Sequence, residues 1–94
     1  MDYPSDDILV ARGKISTLNR KRRKLMKDLQ SYCQRAQSAN LSILSFANDS
    51  KIEEGIPKAE ELMLCATAIP NIQTELVQVL SEISELNIQA WGTI

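Results

Sequence analysis

Apolar side chains recur along residues 4–47 in an unbroken heptad. With Ile8 at position a, the a sites are Ile8, Ile15, Arg22, Leu29, Ala36 and Ile43, and the d sites are Ala11, Leu18, Leu25, Tyr32, Ala39 and Phe46. Eleven of the twelve are apolar or aromatic and Arg22 is the exception. This is the pattern of a helix packed along its whole length against other helices. It predicts a helix over about residues 5–47, roughly 60 Å long at 1.5 Å per residue. A rod of that length cannot cover its own apolar stripe. Ser5 is placed to cap its start, and Asp6 and Asp7 put negative charge where the helix dipole favours it. Gly13 weakens the pattern by about 1 kcal/mol, but Ile15 and Leu18 stay in phase with Ile8 and Ala11, so the helix is expected to run through it.

Asn48, Asp49 and Ser50 give the strongest turn signal, and Ser50 with Glu53 has capping-box spacing. The turn is expected over residues 48–57, with at most a single helical turn between Lys51 and Gly55. Pro57 suits the first turn of a helix beginning with Lys58. A second heptad runs over about residues 58–91, with Leu62, Ile69, Leu76, Ile83 and Ala90 at a, and Cys65, Ile72, Val79 and Leu86 at d. Its phase is kept across Pro70, which falls at a b position away from the seam. Two outcomes stay open there: a kink with the seam preserved, or two separate helices. Gly92 supplies a stop after Trp91. No stretch reads as a strand.

Two long helices joined by a turn predict an all-α, coiled-coil-like antiparallel hairpin, a single helical domain over residues 1–94. In an antiparallel pair, g positions face g positions at a constant sum of residue numbers. Lys14 with Glu82, Lys21 with Glu75 and Arg35 with Glu61 all satisfy a sum of 96, a register that reverses the chain near Asn48. A longer turn through Gly55 would instead set Lys21 against Glu82 and Asp28 against Glu75. Either register brings Cys33 and Cys65 to similar heights, where oxidation could join them. The hairpin leaves apolar residues over: Leu9, Val10, Met26, Leu41 and Leu44 on the first helix, and Met63, Leu64, Val77, Leu80 and Ile88 on the second. Such surface is expected to be covered by further helices, most simply in a multi-chain four-helix bundle, homo- or hetero-oligomeric.

Charge sharpens the picture more than composition does. The chain has 94 residues and a net charge of −1, with 44% apolar but only 4% aromatic residues, so its apolar content is aliphatic and suits helix seams. Cations concentrate in the first half and carboxylates in the second, making the two helices electrostatic complements. No apolar run reaches 18 residues and the first residues are acidic, so neither a membrane span nor a signal peptide is expected. The chain reads as intracellular, in nucleus or cytoplasm, with Cys33 and Cys65 as reduced thiols. Its close after a helix stop is compatible with a piece of something longer.

The motif-like feature is the run Arg20, Lys21, Arg22, Arg23, Lys24, with Lys27 nearby. It is a solvated helix face that neutralises the acidic helix, a nuclear-import patch, or a phosphate-binding patch. Stacking aromatics are missing beside it, against single-stranded nucleic acid. Seam residues stand before as well as after it and no groove-reading Asn occurs, against a zipper-type transcription factor. Arg22 either lays its stem along the seam with its head in solvent, or reaches Glu75 or Glu82 on the facing helix. Glu53, Glu54, Glu60 and Glu61 read as helix-start charge.

With no His in the chain, no Ser or Cys has an imidazole base and no zinc spacing exists. Catalysis, a metal, a cofactor and a small-molecule substrate are therefore not expected. The reading that results is a non-enzymatic scaffold or dimerisation subunit of a larger complex, holding protein partners through Leu41, Leu44, Met63, Leu64, Val77, Leu80, Ile88 and Trp91. The alternatives are a nucleic-acid or chromatin factor using residues 20–27, and a membrane-surface helix module.

Overall fold

The computed structural model describes residues 6–91, with Ala90 and Trp91 described in backbone only. Two α-helices and one 3-10 turn make up this span: α1 over Asp6–Asn48, the turn over Ile52–Gly55, and α2 over Ile56–Trp91. The fold is an all-α helical hairpin. Ser5, the expected cap of α1, lies outside the described residues, while Asp6 and Asp7 occupy the first turn of α1.

The chain reversal departs from the expected capping box. The Ser50 amide donates to Ala47 O (3.1 Å) and the Lys51 amide to Phe46 O (2.7 Å). This is the paired pattern of a Schellman close, with Ser50 in the left-handed region at φ 59°. Ser50 therefore ends α1 rather than starting the 3-10 turn. Lys51 stands at the N-cap of that turn and makes no side-chain capping bond. The reason is geometric: a residue held at positive φ to satisfy the carbonyls behind it is not in the extended conformation an N-cap needs.

Gly55 is buried, and a Cβ added there would meet Ile43 Cα at 3.7 Å and Phe46 Cβ at 3.9 Å. The turn thus lies close on the end of α1. From Gly55 the chain passes straight into α2 two residues before the expected Lys58, with Pro57 inside the first turn, where its missing N–H has no intrahelical carbonyl to lose. Pro70 lies within α2, which is a single element on both sides of it; of the two outcomes open at that residue, separate helices are not found.

Contacts divide the chain into two units. Unit 2, Lys27–Gln73, holds the second part of α1, the turn and the first part of α2; unit 1 holds the described residues of Met1–Met26 and Thr74–Ile94. In unit 2 the core is Ala39, Cys65 and Gly55, flanked by half-buried Leu29, Tyr32, Ala36, Ile43, Phe46, Leu62, Ile69 and Ile72. In unit 1 it is Ala11, Leu25, Leu76 and Val79, flanked by half-buried Ile8, Ile15, Leu18, Ile83 and Leu86. Every described apolar a and d residue is thus buried or half-buried, and Arg22 alone among them is exposed. Two helices can close only a seam. Ala11, Leu25, Ala39, Cys65, Leu76 and Val79 at its centre are covered, and the other large seam residues keep a side in solvent.

Candidate helix-docking face

The register is settled within unit 2 by one ion pair. Arg35 Nε donates to Glu61 Oε1 at 3.2 Å, a g–g pair of the short-turn register. The carboxylate raises the Arg35 pKa above its ordinary value, and the guanidinium also lies 5.2 Å over the Tyr32 ring. In unit 1, Lys14 and Glu82 of the same register line one groove of about 460 Å³, floored by Leu18 and Leu86. Of the two free thiols, Cys65 is wholly buried and Cys33 exposed.

Once the register is fixed, the sides of each helix pair can be assigned. In an antiparallel pair the g positions of both helices flank one side and the e positions the other, with b next beyond e. The g side is charged: Lys14, Lys21, Asp28 and Arg35 on α1, Glu61, Glu75 and Glu82 on α2. The e and b positions of α2 read very differently. In unit 2 they are Ile56, Ala59, Met63, Ala66, Pro70 and Gln73; in unit 1, Val77, Leu80, Ser84 and Asn87. Their spacing alternates three and four, so α2 carries a second heptad line beside its buried one. No charged residue falls on it. Lys58, Glu60, Glu61, Glu75, Glu82 and Glu85 all stand elsewhere on the helix. Ala59 is half-buried and every other position on the line is exposed, with Met63 at 70% and Val77 at 68%.

The e and b positions of α1 complete the side. In unit 2 they are Gln30, Cys33, Gln37, Asn40, Leu44 and Ala47, all uncharged and exposed. In unit 1 they are Leu9, Arg12, Ser16, Asn19, Arg23 and Met26, which include two arginines. Unit 2 therefore presents an uncharged side, and unit 1 a partly cationic one.

The expected partner residues fall unevenly on this arrangement. Leu44, Met63, Val77 and Leu80 lie on the e and b positions, Leu41 and Ile88 at f along their outer edge, and Leu64 at c, away from them; all seven are exposed. Trp91 falls at the next b position by register, and its side chain lies outside the described residues. Sequence reasoning missed Ile56 and Ile52, exposed at 54% and 71%. Ile56 extends the α2 line by one b position, a signal available by running the heptad back past Pro57. The basic residues Arg20, Lys21, Arg22, Arg23, Lys24 and Lys27 are all exposed, but they occupy f, g, a, b, c and f positions and so fan around α1. Arg23 Nε additionally donates to Asn19 O at 3.4 Å.

Among the described residues no group of three metal-ligating side chains is assembled, and no helix is long and apolar enough to cross a membrane. Compared with protein-family models, curated proteins and solved structures, the chain shows no significant match.

Proposed function

We propose that the chain is a non-enzymatic helical scaffold subunit, acting by helix packing through the e and b positions of α2. One observation carries this reading: a heptad line without charge, exposed from Ile56 to Asn87 apart from half-buried Ala59. A solvated helix face scatters charge, whereas a face meant for another helix excludes it, because a buried unpaired charge costs several kcal/mol. The test compares proteins co-purifying from extract with the wild-type chain, with a Val77→Glu/Leu80→Glu variant, and with Gln78→Glu as a control off the line. Val77, Gln78 and Leu80 are all exposed, so the changes spare the seam. A defined set held by wild type and Gln78→Glu and lost by the double variant supports the reading; identical sets on all three refute it.

A second reading assigns phosphate contact, with nuclear residence, to the six exposed cations of residues 20–27. It requires duplex binding that weakens steeply as salt rises. Binding indifferent to salt, or none, removes it.

A further inference from the structure

Unit 1 carries a second surface on its g side, opposite the e and b positions. Two cavities of about 460 and 420 Å³ adjoin there, sharing Val10, Lys14 and Leu86. Together they form a trough beside residues 7–18 of α1, roughly 16 Å long at 1.5 Å per residue. Leu18 and Leu86 make its floor, and exposed Val10 is part of its wall. Its rims differ in sign. Lys14 stands on the α1 side and Glu82 on the α2 side, both exposed. Among the described residues neither enters an ion pair, so two unlike charges border one apolar floor without closing over it.

Gly13 and Thr17 complete the wall. A glycine inside a helix weakens it, and nothing in the described chain calls for one here, since an added Cβ would meet no atom within 4 Å. Thr17 Oγ1 donates to Gly13 O at 3.2 Å, which turns that hydroxyl onto its own helix. What the glycine supplies is access, because a foreign backbone can approach α1 closely there. We propose that the trough docks an amphipathic helix of a partner protein, one whose apolar stripe is bordered by carboxylates along one edge and by lysine or arginine along the other. Helices laid in grooves anchor through apolar residues spaced three and four apart, which the Leu18 and Leu86 floor accepts. The edge charges follow from the rims: carboxylates over Lys14, with Lys21 next on its g line, and cations over Glu82, with Glu75 next on its own. A guest with like charges on both edges meets repulsion at one rim. The trough lies open along its length, which suits a polymer segment better than a small molecule, whose sites enclose most of the ligand.

The probe is a labelled synthetic helix with a leucine stripe, glutamates on one edge and lysines on the other, read by fluorescence anisotropy against the full chain. Two companion helices carry glutamate on both edges or lysine on both. Saturable binding of the mixed helix, roughly fivefold tighter than either companion, is expected; no binding, or no preference, overturns the proposal. Glu82→Lys makes both rims cationic and should move the preference to the helix with two glutamate edges by a similar factor, and an unchanged preference overturns the proposal. Gly13→Trp should fill the trough and abolish binding while circular dichroism stays helical, its Cβ meeting no neighbour; a folded variant that still binds overturns the proposal, and if the variant unfolds, Glu82→Lys decides. Val77→Glu/Leu80→Glu, on the e and b positions, should leave the affinity unchanged. A mixed helix released by that variant and retained by Gly13→Trp would sink this inference and leave the α2 docking face standing.

Discussion

Ser50 and Gly13 show how single residues limit the hairpin. Ser50 holds φ 59°, a region that costs a residue with a Cβ roughly 1–2 kcal/mol, so Ser50→Gly should stabilise the chain by about 1 kcal/mol while keeping the Schellman bonds. Gly13 sits inside α1 with nothing within 4 Å of an added Cβ. Gly13→Ala should add about 1 kcal/mol through helix propensity alone. Thermal melting checks both, at ~4–8 °C per kcal/mol for a chain of this size. The thiols offer a third check: Ellman's reagent should titrate Cys33 at once in native protein and Cys65 only after denaturant is added, whereas two fast thiols would contradict the burial of Cys65. Burial along the seams was legible in the sequence at this scale, because heptad position fixes which side of a helix a residue occupies. The role of Ser50 was not. Asn-Asp-Ser with a nearby Glu serves equally as the close of one helix or the cap of the next, and only the backbone bonds from Ser50 and Lys51 decide between them.

At the scale of the element, α2 stays one helix across Pro70 because both of its heptad lines continue on either side of the proline. Cys65, Ile69, Ile72 and Leu76 keep the buried seam in phase, and packing offsets the hydrogen bond that the ring removes. Pro70 is exposed, so Pro70→Ala should restore that bond and raise stability by about 1–3 kcal/mol; a loss of stability on denaturant titration would mean that the ring itself is packed. The sequence alone leaves this point open, since local propensity argues for a break and the phase of the seam for continuity. Register was legible from the Lys and Arg against Glu complementarity: the Arg35 to Glu61 pair selects the sum of 96, although the link between the helices runs through Gly55. That pair is worth little in itself. Being exposed, it should show little coupling in a double-mutant cycle of Arg35→Ala and Glu61→Ala. The line from Ile56 to Asn87 was hidden because its Ala, Gln, Ser and Asn positions do not stand out as an apolar stripe. It is recognised by the charges it lacks once the buried seam has been assigned.

For the whole molecule the governing fact is a seam too narrow for the apolar residues the chain carries. Each unit buries only a narrow seam and leaves Met63, Val77 and their neighbours in solvent, surface that the proposed docking would remove from water. If further copies of the chain supply that cover, folding and assembly are linked by mass action, and stability depends on protein concentration. The most direct test is the thermal midpoint of the purified chain over about a hundredfold range of concentration. The account predicts a midpoint that climbs several degrees, reflecting the roughly 2.7 kcal/mol per dimer that such a range supplies. A midpoint identical at both ends of the range would mean that the hairpin folds alone, and would contradict it.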